Sequence, residues 1–168
     1  MKDHHHFMTM ALREAEAALA AGEFPVGCIL VHDQRMLVSG RRHGTADPGT
    51  NEVDHAEMIA LRRLTDCGAH RDLTGIAAYI TLEPCLMCLG AMILNRVETI
   101  VYAYEDVMGG ASRCDLASLG PLYRQSEPVI IAHVHRTRSL RLFQTYFRRP
   151  DNHYWNDSLL ARYTLDQP

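Results

Sequence analysis

Thr81 to Met92 reads "TLEPCLMCLGAM". The run that leads into it, "AAYITL" (77–82), is apolar and β-prone, so a strand is expected there. Pro84 closes that strand, and "CLMCLGAMIL" (85–94) has the length and apolar spacing of a buried helix. Cys85 and Cys88 are three apart at the start of this helix, which places both sulfurs on one face of its first turn. A helix N-terminus favours negative charge and therefore the thiolate form that binds metal. Thirty residues before Cys85 lies a second stretch, "DHAEMIALRR" (54–63), in which His55 and Glu57 open another helical pattern.

The surrounding pattern repeats this strand–helix alternation. "FMTMALREAEAALAAG" (7–22) predicts a helix with Met8, Ala11, Leu12, Ala15, Ala18 and Leu19 on one stripe, stopped at Gly22. "VGCILV" (26–31) and "RMLVS" (35–39) read as a hairpin joined by the polar "HDQ". "GRRHGTADPGTNEVD" (40–54) is loop, with Asp54 expected to cap a helix that runs from His55 to about Gly68. "TIVYAY" (99–104) and "PVIIAHV" (128–134) are further strands, separated by a loop and a short helix near Leu116. A helix over Ser139–Phe147 and one more within "DNHYWNDSLLARYTL" (151–165) complete the order. This pattern predicts a single α/β domain over 1–168, a mixed sheet with helices on its faces.

The chain has 168 residues, 47% of them hydrophobic and 22% charged, a globular composition. No apolar run approaches a membrane span and no signal-peptide pattern precedes the first helix, so a cytoplasmic protein is expected. The net charge of -3 gives no global basic excess for nucleic acid. Arginine clusters at 41–42, 62–63, 136–141 and 148–149 read first as solvated faces and ion pairs. His4, His5 and His6 read as a surface feature ahead of the first helix or a cloning remnant. Five cysteines, an odd number without small-secreted-domain spacing, argue for thiols or metal ligands rather than disulfides.

The two cysteines alone leave three readings open: a catalytic zinc, a structural zinc completed by one of the ten histidines, or core thiols with no metal. Three ligands, His55, Cys85 and Cys88, would leave a fourth tetrahedral position open, as catalytic zinc requires. Glu57 favours that reading. Two residues beyond a ligand, its carboxylate can reach a zinc-bound water and move its proton without binding the metal.

The pairing "HAE … PCLMC" is the H-x-E…P-C-x-x-C signature of zinc nucleobase deaminases. From about Phe7 to Phe147 the chain resembles that superfamily. "FPVGCILV", "DHAEMIALR", "TLEPCLMCLGAMI", "IVYAYED" and "GGAS" are similar to segments of bacterial tRNA adenosine deaminases, guanine deaminases and fungal-type cytosine deaminases. The resemblance implies the cytidine deaminase-like fold, a three-layer α-β-α arrangement around a five-stranded mixed sheet, commonly as a homodimer. It implies one Zn2+ per subunit on His55, Cys85 and Cys88, with Glu57 as the catalytic proton shuttle. It also implies that the backbone N–H groups of Ala56 and Cys85 lie near the reacting oxygen.

Substrate contacts follow less directly. Val26, Arg42, His43, Glu83, Asp106, Trp155 and Asp157 are the candidates. Arg42 or His43 stands where these relatives carry a pocket asparagine, and Asn51 in a lengthened loop from Asp47-Pro48 is an alternative. Glu83 belongs to the "EPC" form shared by purine-type members. Met108 stands at a position where tRNA deaminases commonly show lysine. The tail 150–168 lacks a basic helix and resembles a pocket lid, with Trp155 and Asp157 over the site and Tyr154 beside them. These departures favour a free nucleobase or similar small amino-heterocycle as substrate. A tRNA adenosine deaminase acting at the wobble position is the alternative, and a non-catalytic zinc- or RNA-binding member is the remote one.

Overall fold

The computed structural model describes residues 3–46, 50–68 and 73–168. The elements are α1 (His4–Ala20), β1 (Gly27–His32), β2 (Arg35–Arg41), α2 (Ala56–Asp66), β3 (Ile76–Leu82), α3 (Leu86–Leu94), β4 (Val97–Tyr104), α4 (Pro121–Arg124), β5 (Val129–Ile131), α5 (Arg136–Phe147) and α6 (Leu159–Leu165). A single 3-10 turn at Leu116–Ser118 precedes α4. The five strands form one sheet in the order β2-β1-β3-β4-β5. β1 is antiparallel to both β2 and β3, whereas β3, β4 and β5 run parallel. This is the predicted five-stranded mixed sheet with helices packed on it.

Strand periodicity divides the core. Side chains of a strand alternate between the two faces of its sheet, so Cys28 and Leu30 of β1 join Ala78 and Ile80 of β3 in the cluster that receives α2 and α3. Ile29, Val31, Ala77 and Tyr79 point the other way, against Phe7, Met8, Ala11 and Leu12 of α1. All seven residues of β3 are buried, as a central strand covered on both faces requires.

Gly40 sets how closely α2 approaches the sheet. A Cβ there would lie 2.2 Å from the Ala56 carbonyl oxygen and 2.7 Å from the Ala60 nitrogen. The absent side chain lets the first turn of α2 rest directly on β2. The hairpin turn takes left-handed backbone at both Asp33 and Gln34 (φ 47° and 61°), the twist that a two-residue connection needs.

Several boundaries differ from expectation. α1 begins at His4, not Phe7, because the Asp3 carboxylate accepts from the His6 amide and caps it. The three histidines are therefore part of the first turn, and His4 Nδ1 lies 3.1 Å from the Tyr79 hydroxyl. Asp54 is not the cap of α2. Its carboxylate is taken by Asn51 and Arg62, and His55 occupies the N-cap position. Helix α3 starts at Leu86, with Cys85 as its N-cap. β5 is only three residues long, and left-handed backbone at His133 and His135 ends any continuation. The Asp47-Pro48 part of the lengthened loop lies outside the described residues. Among the described residues no helix is long and apolar enough to cross a membrane.

Candidate active site

The N-termini of α2 and α3 meet just beyond the C-terminal end of the central strand β3. His55 Nδ1 lies 3.7 Å from Cys85 Sγ and 3.5 Å from Cys88 Sγ. A tetrahedral zinc with Zn–S near 2.3 Å and Zn–N near 2.05 Å has an N–S edge of about 3.6 Å. The three donors therefore fit zinc in distance as well as in chemistry, and among the described residues they form the sole such cluster. His55 and Cys85 both occupy N-cap positions without making a side-chain cap bond. The free N–H groups of two helix ends thus face the same point and favour negative charge there.

The electrostatics follow from that crowding. A hydrogen bond from the Cys88 thiol pulls the Cys85 pKa down to about 4, with His55 acting in the same direction against burial. The same contact, together with burial and the nearby Glu57, pushes Cys88 up. Glu57, in the first turn of α2, is 4% exposed. Burial raises its pKa above the ordinary carboxylate value, opposed by the charge of His55.

A cavity of about 260 Å³ opens onto these groups. Its wall includes Phe24, Val26, Leu82 and Leu160, with His55, Ala56, Glu57 and Cys85 at the donor cluster. Arg42, Glu83, Asp106 and Trp155 line it as well, so most of the residues singled out in the sequence are brought together. His43 and Asp157 are not among its lining residues. The His43 ring is exposed and 3.2 Å from Glu23, and Asp157 is exposed with left-handed backbone. Asn51 is used locally, its side chain accepting from the Val53 and Asp54 amides.

Two polar lining residues serve the walls of the cavity. Arg42 is buried and donates to the carbonyls of His43 and Asp54, to Glu52 and to the Tyr154 hydroxyl. Glu83 accepts from the amides of Asp106 and Ser112 and from the Ser112 hydroxyl. A Cβ on Gly110 would lie 2.4 Å from Glu83 Cδ, so the 106–112 loop sits directly on that carboxylate. Asp106 in turn accepts from the amides of Met108 and Gly109. Glu52 and Tyr154 also line the cavity. Glu52 went unremarked in the sequence, where a single glutamate in a polar loop carries no signal.

Residues 1–104 match the family model described as the cytidine and deoxycytidylate deaminase zinc-binding region. A tRNA-specific adenosine deaminase of Agrobacterium fabrum is 30% identical over 149 residues, 88% of this chain and 96% of that protein. Streptococcal relatives with that description align over 112 residues, 64–69% of their own length. A solved structure from work on A-to-I editing by tRNA:A34 deaminases at the wobble position superposes with a TM-score of 0.65 at 27% identity, covering 82% of this chain and 98% of that one. A guanine deaminase from Nitrosomonas europaea shares the fold, with a TM-score of 0.68 at 18% identity over 87% of this chain and 85% of that one.

These likenesses overturn the preference for a free nucleobase. Relatives at 30–36% identity are described as tRNA-specific adenosine deaminases, which outweighs the reading drawn from Met108 and the tail. Departures at the rim of a pocket weigh less than likeness along most of the chain. The chain is a hydrolytic, zinc-binding deaminase, and it belongs to the family defined by the cytidine and deoxycytidylate deaminase zinc-binding region.

Proposed function

We propose that this chain deaminates adenosine to inosine in tRNA, at the wobble position of the anticodon. The supporting observation is a largely apolar cavity that ends on the His55–Cys85–Cys88 donors and Glu57, in a chain whose relatives are tRNA adenosine deaminases. An anticodon base is unpaired, so turning it into such a cavity costs little. Phe24, Val26, Leu82 and Leu160 offer the base an apolar slot, and the half-exposed Trp155 offers an aromatic face beside it.

His55, Cys85 and Cys88 would hold the zinc. The metal supplies a water whose pKa is lowered from about 16 toward 7. Glu57 would accept a proton from water and pass it to N1 as an oxygen adds to C6 of adenine. The same carboxyl would then carry the remaining hydroxyl proton to the exocyclic amine, so that the C–N bond breaks, ammonia departs and a carbonyl remains. The raised proton affinity of buried Glu57 suits a group that must both accept and return a proton. The amides of Ala56 and Cys85, at the helix N-termini, stabilise negative charge that develops on the oxygen.

The test is inosine formation in an anticodon stem-loop carrying adenosine, with ammonia released one for one. Deamination of free adenine or guanine with no activity on the stem-loop would overturn the substrate.

A homodimer in the cytoplasm completes the reading. Leu86, Gly90 and Leu94 fall on one stripe of α3, and both leucines are more than half exposed, with Met87 beside them. An uncovered apolar stripe of this kind marks an association surface. Leu94→Glu is expected to yield a monomer by sedimentation, and a wild-type monomer would refute the dimer.

A further inference from the structure

One carboxylate outside the signature reaches the donor cluster from behind. Glu52 Oε2 lies 3.7 Å from His55 Nε2, the ring nitrogen that faces away from the sulfurs. The same oxygen accepts from the Tyr154 hydroxyl at 3.0 Å and from Arg42 Nη2 at 3.3 Å. We propose that Glu52 is a positioning residue for His55, and that Arg42 and Tyr154 hold it in place. The assignment rests on the metal-binding half of the function proposed above and not on the choice of substrate.

A metal-bound histidine uses one ring nitrogen as ligand and fixes its tautomer by donating the other N–H, commonly to a carboxylate. His55 presents Nδ1 to both sulfurs, so with Nδ1 given to the metal Nε2 would carry the proton, and Glu52 is the acceptor it faces. The gap is a few tenths of an ångström beyond a hydrogen bond. Glu52 is itself half-exposed, yet it is gripped by two groups that cannot follow solvent. The Arg42 side chain is 2% exposed and also bound to two backbone carbonyls, and Tyr154 is buried in the aromatic cluster around Phe24. Arg42 balances the charge of Glu52, so the gain for His55 is orientation more than added negative charge. Tyr154 is 102 positions away, and through it the C-terminal segment is joined to the metal ligand.

Zinc affinity measured by chelator competition, without substrate, tests the assignment in wild type, Glu52→Gln, Glu52→Ala and Tyr154→Phe. Glu52→Ala is expected to bind zinc about 10- to 100-fold more weakly, with an altered visible spectrum in the cobalt-substituted protein. Glu52→Gln, whose amide oxygen still accepts from Nε2, should fall between, and Tyr154→Phe should weaken binding by a smaller factor. Affinity of Glu52→Ala within twofold of wild type overturns the proposal. So does a variant whose zinc-free thermal midpoint drops while its affinity stays, since that is a loop tie only. Failure of wild-type protein on the tRNA stem-loop would count against the substrate and leave the zinc result standing.

Discussion

Glu57 and Glu23 are both buried carboxylates, and their surroundings drive them in opposite directions. Around Glu57 burial dominates and the pKa rises. Around Glu23 burial also pushes upward, but bonds from the Thr45 hydroxyl and the amides of Thr45, Gly44 and Ala46 outweigh it, and the pKa falls below 4.5. Glu57→Gln keeps the shape and loses the proton carrier. Inosine formation should drop at least about 100-fold with zinc content retained, as read by single-turnover kinetics and metal analysis. Glu23→Gln should cost about 1–3 kcal/mol at neutral pH. A depressed folded-state pKa stabilises above the unfolded value and stops doing so as pH falls through the folded one. The gap between wild type and Glu23→Gln should therefore close below about pH 4.5, in thermal melts recorded from pH 7 down to pH 3.

At the scale of elements, the site depends on two helix ends resting on the sheet. Gly40→Ala would drive a methyl group into the Ala56 carbonyl and push α2 outward, carrying His55 and Glu57 with it. The expected cost is about 1–3 kcal/mol, with zinc affinity falling in parallel, measured by denaturant unfolding and chelator competition. The strands, the helices and the converging donors were legible in the sequence because each rests on local period or on residue type at fixed spacing. Helix starts were less so. Asp3 competed unseen with the Phe7 start, and Asp54 looked like a cap until Asn51 and Arg62 claimed its carboxylate. Arg42 sat at the right place for a pocket residue, but its four partners come from three separate segments, one of them at Tyr154, and no local pattern encodes that. The substrate class was the least legible, because a few residues at the rim of a pocket carry less information than likeness along most of the chain.

For the whole molecule acting on tRNA as proposed, charge would decide how the RNA is gripped. Arg41, Arg42, Arg62, Arg136 and Arg138 each lie within 4 Å of a carboxylate, five of the sixteen arginines. With a net charge of -3, tRNA binding should involve few phosphates and weaken only gently with salt. A slope of log K against log salt of about -2 to -4 is expected, at roughly 0.7–0.9 per phosphate. Titrations between 50 and 200 mM salt check it, and a slope steeper than about -6 would show that the arginines outside these ion pairs form a larger basic face.

The bond from Tyr154 to Glu52 also has a consequence in time. A chain emerging from the ribosome exposes His55, then Cys85 and Cys88, well before Tyr154 is synthesised. With Glu52 acting as assigned, the three donors gather while the histidine is still loosely aimed. Tight retention of zinc then waits for the segment around Tyr154 to dock, so firm metal binding follows synthesis of a residue about a hundred positions beyond Glu52.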